Sequence, residues 1–563
     1  MKTEVAIIGG GPAGLMLAIE LGCRDVPCVL IEQAATGPRL PKANATSART
    51  MEHYRRRGFA HEIRALGLPP DYPQDVVYCT RLSSHELARF AIPSADVAAS
   101  RAGFGDYGDK AWPTPELPHR AQQMYIEPIL RRHAESYASV QVRFNTRALA
   151  IAEKPDGVDV QLRENGSAAD HTLHARYVVG CDGARSLVRE TMGVRYSGRG
   201  KEQRDFLGGQ MVSIYFRSAS LYSLLVKPRA WQYWAINPRQ RGLLNCIDGI
   251  ETFVLLVQLK EGERAESLEV ESVLSGVVGC TFEHELIAVT PWNAGYALVA
   301  DNFRRGRLFV AGDAAHLFTP TGGMGYNTSI DDVVNLGWKL AGVVHGWGPD
   351  ALLDSYEAER RPIAMRNTAF ARAMADSIGR LPASDSVELE GAAGEQARSA
   401  LGDALAAHVA REFNIPGLQL GLRYSSSPII CAEDGPAPPD DPNHYVVTAY
   451  PGSRAPHLAV GDNALFDHFG RDFTLLSFKL EALDAWFEES RRMGLPLAFV
   501  QCPDPAGRDL YGADLVLIRP DHHVAWRGPR HANAAEVLRI ACGRVEASQD
   551  MNGSQTQAVL DRC

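Results

Sequence analysis

Three short motifs place glycines or an acid at the end of an extended run, where a backbone loop can hold a phosphate or a sugar. The first is Gly9-x-Gly11-x-x-Gly14. The β-forming run EVAIIG precedes it, and LMLAIELG, which reads as a helix, follows. Gly9 permits a tight turn, Gly11 lets a pyrophosphate approach the backbone, and Gly14 lets helix and strand pack closely. Pro12 and Ala13 open that helix, whose free N–H groups and positive dipole end face the anion. A second strand, PCVLIE, ends at Glu32, eighteen positions beyond Gly14, where a carboxylate accepts hydrogen bonds from a ribose. Strand, turn, helix, strand and acid in that order read as a dinucleotide-binding unit.

The other two motifs lie far downstream. In RYVVGCDGARSLVRETMGV, the β-rich run Tyr177 to Cys181 delivers Asp182-Gly183 to a helix that carries Ser186 and Arg189. In GRLFVAGDAAHLFTPTGGMGYNTSIDD, the strand Leu308 to Ala311 delivers Gly312-Asp313, and a second glycine-rich turn follows. His316 in that stretch reads as a packed, hydrogen-bonded histidine, because no acid or nucleophile partner is visible beside it.

Taken together, these motifs resemble the single-component FAD-dependent aromatic hydroxylases, the family of p-hydroxybenzoate hydroxylase and phenol hydroxylase. The resemblance implies non-covalent FAD, with Asp182-Gly183 serving both FAD and the reduced nicotinamide, and Gly312-Asp313 holding the ribityl chain. It implies that Gly322, Gly323, Gly325, Tyr326 and Asn327 wrap the isoalloxazine edge through backbone groups, with the Pro320 carbonyl beside the reacting edge. A helix beginning near Asn327 would aim its positive end at the negative side of reduced flavin. Arg49 in NATSARTMEHYRRRG and Gln123 in HRAQQMYIEPIL match family segments that touch the cofactor.

The chemistry that this resemblance implies is a cycle in which NADH or NADPH reduces FAD and dioxygen adds at the flavin C4a position. The resulting hydroperoxide then gives one oxygen to a phenolic or related aromatic ring. Protein groups supply position, a dry site and charge control, and no metal is required. Phenol-hydroxylase-like relatives carry an ionisable base five positions before the flavin arginine. Here that position is Asn44, an amide that orients a hydroxyl but cannot take its proton at neutral pH. Alternating β segments between the second and third motifs predict an antiparallel sheet over the flavin, with Tyr215, Arg217, Trp231, Tyr233 and Trp234 as candidates to line a substrate pocket. WQYWAIN only approximates the W-x-W-x-I-P of flavin halogenases, with Asn237 where proline belongs. Two other functions fit the motifs: hydroxylation or Baeyer-Villiger oxidation of a polycyclic aromatic polyketide, and flavin binding without turnover.

The elements that must position these residues make an α/β chain. A discontinuous Rossmann-like FAD domain over 1–380 contains a substrate sheet drawn from about 75–110 and 195–295. ALLDSYEAERRPIA reads as a helix ending near Pro362. A linker and helix follow over 381–430, then a domain over 431–563 that resembles the thioredoxin-like module of phenol and polyketide hydroxylases. GADLVLIRPDHHVAWRG reads there as a hairpin with Asp521-His522 near its turn. Cys502 has no CxxC partner, so the module is redox-inactive, and a regulatory thiol role would need Cys502 or Cys542 exposed and acidic. The domain is then a cover for the flavin domain or part of a homodimer interface.

Composition bounds the rest. With 563 residues, 45% hydrophobic, 22% charged and a net charge of −9, the chain lacks the cationic surface that nucleic acid demands, and Arg55 to Arg57 reads as a solvated helix face. Ten cysteines without CxxC or zinc spacing suggest neither disulfides nor a metal and fit a reducing cytoplasm. The apolar stretch AIIGGGPAGLMLAIEL is broken by glycines and Pro12, with Glu4 before it, which argues against a leader or membrane anchor.

Overall fold

The strand Lys2–Ile8 is the axis around which the first sheet is laid. It pairs in parallel with Cys28–Ile31 on one side and with Asp170–Gly180 on the other. Asp170–Gly180 pairs in parallel with Leu308–Val310 at its end. The register brings Ile8, Ile31, Gly180 and Val310 level. The three loops carrying the sequence motifs therefore leave the sheet side by side at the carboxyl ends of its strands, where open α/β sheets bind their ligands. The computed structural model describes residues 1–100, 105–107, 110–200, 204, 206–381, 384–479, 483–529 and 531–544. The other positions of the segments 75–110, 195–295, 381–430 and 431–563 lie outside the described residues.

Two glycines explain the tightness of the first turn. Gly9 has φ +110°, and a Cβ there would lie 2.2 Å from the Cys181 carbonyl oxygen. At Gly14 a Cβ would lie 1.9 Å from the Gly9 carbonyl oxygen, so the helix Pro12–Gly22 can approach its strand only without a side chain there. The expected solvated face at Arg55 to Arg57 is corrected. Arg56 and Arg57 converge on the buried Glu20 of that helix at 2.7 and 2.8 Å, joined by Arg24 at 2.8 Å, while Arg55 reaches Asp467 and Glu116. Burial alone would raise the Glu20 carboxyl, but the three guanidinium groups outweigh it and hold it well below the usual range.

Among the described residues a seven-stranded sheet forms the substrate side, in the order Glu285–Ala294, Gly209–Arg217, Thr252–Gln258, Gly242–Cys246, Gln232–Ala235, Val76–Cys79, Glu86–Phe90. Every neighbouring pair is antiparallel except Gln232–Ala235 with Val76–Cys79. The helix Ala392–Phe413 lies against Glu86–Phe90, and its Leu401, Leu405 and Val409 share the core of this sheet. A Cβ at Gly402 would lie 2.3 Å from the Leu87 carbonyl oxygen. The helix expected with the linker over 381–430 is thus part of the packed substrate side.

The helix expected to end near Pro362 instead runs 26 residues, Asp354–Gly379. A proline inside a helix costs about 3 kcal/mol through the lost hydrogen bond and the ring clash. Here anchors on both sides keep one axis: Arg360 pairs with Asp332 at 2.8 Å, and Asn367 donates to Thr328 at 3.0 Å.

The C-terminal sheet runs Leu497–Gln501, Phe473–Ser477, Leu515–Ile518, Val524–Gly528, with the first pair parallel and the others antiparallel. Helices Asp484–Met493, Pro505–Tyr511 and Ala534–Ala541 complete a thioredoxin-like arrangement, and the last two strands form the expected hairpin. Its core is continuous with that of the flavin domain, with Phe473 edge-on to Trp338 at 5.7 Å. Cys502 and Cys542 are buried and their thiols are pushed up by burial, so the conditions for a regulatory thiol are not met.

Candidate active site

A cleft of about 690 Å³ opens where the aligned strands end. Gly9, Gly11, Pro12 and Ala13 form one wall, Glu32 and Gln123 a second, Asp182, Gly183 and Asp313 the floor, and Tyr326 the far end. Gly11 caps the helix Pro12–Gly22, and a Cβ there would meet nothing within 4 Å. That is an open cradle at a helix N-terminus, the arrangement that receives a pyrophosphate. Glu32 braces the turn as well as facing the cleft, accepting the Gly10 and Ala34 N–H groups at 2.7 Å each. Gln123 donates to Glu127 at 2.5 Å, and burial pushes the Glu127 carboxyl up to about 7.

Asp182 accepts the Val188 N–H through Oδ2 at 3.3 Å, while its buried Oδ1 has no partner among the described residues. Burial raises this carboxyl above the usual range. A helix N-terminal cradle with Asp182 and Asp313 among the residues lining the same cleft fits a cofactor that carries a pyrophosphate and hydroxyls, and the residues present therefore suit FAD. Gly312 has φ +61° and donates to Asp332 at 3.2 Å. His316 is fully buried, and its Nε2 lies 2.6 Å from Asp332. The histidine is packed, as its sequence context suggests, but it does have an acid partner, supplied from the helix Met324–Val344.

Asn327 fastens the second glycine-rich turn. It donates to the carbonyls of Ala45 and Gly323 at 2.9 and 2.7 Å, and accepts from the Ser47 N–H at 2.7 Å. Gly325 accepts from Ser329 through its carbonyl at 2.8 Å. Gly322 and Gly323 have φ +69° and +62°, and with Pro320 they separate the cleft from a second, smaller cavity of about 80 Å³.

That second cavity lies between the turn and the substrate sheet. Asn44, Trp231, Gln232 and Trp234 line it, with Arg120 stacked over the Trp231 ring at 4.1 Å. A ladder of amides runs along the wall: Asn44 and Gln232 both donate to Asn245 Oδ1, at 3.1 and 2.9 Å, and Trp234 donates to Gln232 at 3.2 Å. Glu412, Phe413, Ile415 and Gln419 close the opposite side.

Gly14, Gly312 and Gly325 lie outside both linings, and four expected side chains are also placed elsewhere. Arg49 is buried and lines neither cavity; it pairs with Glu52 at 2.9 Å and donates to the Asp521 carbonyl at 2.5 Å, so it ties the flavin domain to the C-terminal hairpin. Tyr233 points to the opposite face of its strand from Gln232 and Trp234, by the alternation of a strand, and accepts the Ala230 N–H at 2.8 Å. Tyr215 and Arg217 also line neither cavity; Arg217 is exposed and reaches Glu285 at 3.9 Å. The sequence reading missed Lys42 and Arg185 in the cleft and Glu412 in the cavity. Lys42 and Arg185 stand in loops next to recognised motifs, whereas no local pattern marks Glu412.

Sheet order, cleft and cradle define an FAD-dependent oxidoreductase. A family model described as FAD binding domain matches residues 2–371, and one described as aromatic-ring hydroxylase, C-terminal, matches residues 448–546. The chain belongs to the FAD-dependent aromatic-ring hydroxylases and is a flavin monooxygenase. It is 31% identical over 562 residues to 4-methyl-5-nitrocatechol 5-monooxygenase of Burkholderia sp, covering 94% of each chain. It is 30% identical over 575 residues to aklavinone 12-hydroxylase RdmE of Streptomyces purpurascens, covering 97% of this chain and 99% of that one. A structure of RebC soaked with chromopyrrolic acid and holding 7-carboxy-K252c superposes with a TM-score of 0.87 at 31% identity, over 97% of this chain and all of that one. Among the described residues no cluster of side chains suits a metal ion, and no helix is long and apolar enough to cross a membrane.

Proposed function

We propose that this enzyme hydroxylates a single-ring phenolic substrate, using NADH or NADPH as reductant and dioxygen as the source of oxygen. The observation that carries the reading is the small cavity across the Pro320–Gly323 turn from the cleft, walled by two tryptophans and a ladder of amides. FAD bound in the cleft supplies the activation of dioxygen. Its floor acids Asp182 and Asp313 hold hydroxyl groups of the cofactor, and the Gly11 cradle holds its pyrophosphate. The indoles of Trp231 and Trp234 give the ring apolar surface and exclude water, and Asn44 orients its hydroxyl.

Size favours one ring. A cavity of about 150 Å³ holds benzene, so a cavity of about 80 Å³ must yield for any aromatic guest and yields least for the smallest. The relative named for 4-methyl-5-nitrocatechol supports this choice. Hydroxylation or Baeyer-Villiger oxidation of a polycyclic polyketide is the second reading, favoured by the likeness to aklavinone 12-hydroxylase and RebC; it requires the cavity to open further. A cytoplasmic location and a homodimer complete the proposal, the latter tested by light scattering.

The test of function is a panel of one-ring to four-ring phenols, scored by substrate-stimulated NAD(P)H oxidation and by one added oxygen in the product mass. Turnover of one-ring phenols is expected. Activity confined to polycyclic substrates would overturn the size argument, and purified protein without bound flavin would overturn the whole reading.

A further inference from the structure

Asn44, which lines the substrate cavity, is an amide and takes no proton at neutral pH. Among the described residues lining that cavity, Glu412 is the only carboxylate. It sits in the last turn of the helix Ala392–Phe413 and is 2% exposed. Its Oε1 accepts the Gly322 N–H at 2.9 Å. Its Oε2 is buried without a hydrogen-bond partner, 2.9 Å from Nε2 of His408. His408, one turn earlier and 1% exposed, has Nδ1 3.1 Å from Ser377 Oγ, which also accepts from the partly exposed Arg411 at 3.0 Å.

A buried carboxylate is expensive to keep beside Trp231, Trp234, Leu243, Phe413 and Ile415, in a cavity whose other polar side chains are amides, hydroxyls and Arg120. Holding the Gly322 N–H does not require the charge, since a glutamine carbonyl would accept it equally well. What the carboxylate adds is a site for a proton on Oε2, in contact with an imidazole nitrogen that can receive it. The groups that face it from other elements are Tyr78, from the strand Val76–Cys79, and Arg120, from His119–Arg120 across the cavity. The Tyr78 hydroxyl is buried without a partner, and its ring lies edge-on to His408 at 6.5 Å. Burial and the charge of Glu412 keep Tyr78 protonated, so it competes for no proton.

We propose that Glu412 is the catalytic base that takes the phenolic proton of the substrate, and that His408 receives the proton from it. The proposal rests on the phenol-hydroxylase reading above. The phenol O–H bond breaks and its electron pair stays on the ring oxygen. The proton bonds to Glu412 Oε2 and passes to His408 Nε2, which leaves the carboxylate between an imidazolium and a phenolate. The step requires the His408 tautomer that carries its proton on Nδ1 and donates it to Ser377. No electrons are exchanged with a further reagent, and a phenolate ring is the more reactive acceptor of oxygen.

The experiment compares the wild-type holoenzyme with Glu412→Gln and His408→Gln on an accepted phenol and on its nitro-substituted form, which is already ionised near neutral pH. For Glu412→Gln, loss of a positioned base should lower kcat on the parent phenol by about 10²- to 10³-fold at pH 7, with KM nearly unchanged. The loss on the nitrophenol should be less than about tenfold, and the pH profile on the parent phenol should shift up toward its own pKa. His408→Gln should show a smaller loss with the same rescue, and it carries the test if Glu412→Gln fails to retain flavin as judged by absorbance. Equal losses on both phenols, or an unmoved pH profile, would overturn the assignment and leave Glu412 as a brace for Gly322. A flavin-loaded wild type inactive on every phenol would overturn the phenol reading and the assignment together.

Discussion

The cleft and the cavity are neighbours built on opposite plans. The cleft is assembled from loops that leave level strands, and its shape is set by backbone groups: the Gly11 cradle, the Gly10 and Ala34 amides held by Glu32, and the Gly312 amide held by Asp332. The cavity is assembled from side chains brought in from distant parts of the chain, Asn44, Asn245, Trp231 and Glu412 among them. Backbone geometry constrains residue type tightly and leaves a short motif. Side-chain walls tolerate exchange, so related enzymes with one cleft can serve different substrates.

Substitutions that break the first plan should have the largest effect. Gly14→Val places side-chain atoms where even a Cβ would lie 1.9 Å from the Gly9 carbonyl oxygen, and the expected outcome is protein without bound FAD, read from visible absorbance. Retention of stoichiometric flavin would show that the turn can shift. Next is the seam behind the cleft, where Arg519 pairs with Glu359 at 2.5 Å and Lys339 with the same carboxylate at 2.6 Å, all fully buried. Glu359→Ala leaves the buried Lys339 without a carboxylate and Arg519 with Asp521 as its remaining one, and should cost about 3–5 kcal/mol, seen as a lower Tm.

The seam also predicts an acid limit. Burial raises the Glu359 and Glu52 carboxyls, but nearby cations outweigh it and both are lowered to about 2. A folded-state value below the unfolded one contributes stability that is fully present above about pH 4.5 and is lost as pH falls toward 2. Thermal melts across that window should show Tm falling more steeply for the wild type than for Glu359→Ala.

The cavity should respond more modestly and in catalysis rather than in stability. Asn44→Ala removes one hydrogen bond to Asn245, worth about 1 kcal/mol or roughly fivefold in kcat/KM, and should raise the share of NAD(P)H oxidised without product. A wild-type ratio of product to NAD(P)H would remove Asn44 from the site. Smallest of all, Arg217→Ala at the exposed end of its strand should change stability by no more than about 0.5 kcal/mol and leave turnover unchanged. A marked loss of turnover would restore Arg217 to the substrate site, against its placement here.

How much was legible in the sequence follows the same division. Gly9, Gly11, Glu32, Asp182, Gly183 and Asp313 were readable because each follows a strand and its task is local. Arg49 was misplaced because a matching segment gives a position along the chain but not the direction of its side chain, which the Asp521 carbonyl decides. Arg56 and Arg57 looked solvated because Glu20, their partner, lies on a helix far earlier in the chain. Pro362 reads as a stop by its own chemistry, and only packing on both sides overrides that.

By itself the sequence determined the cofactor class, the order of strands and loops that hold it, and the likeness of the C-terminal domain to a thioredoxin fold without its redox pair. Those features depend on φ, on the lack of a side chain, or on residues a few positions apart, and such constraints are written locally. Tertiary structure alone decided which aromatic residues line the cavity, that residues beyond 380 close it, and that Glu412 lies in the same lining as Asn44. Those outcomes depend on which faces of distant elements meet, and no short window of residues encodes such a meeting.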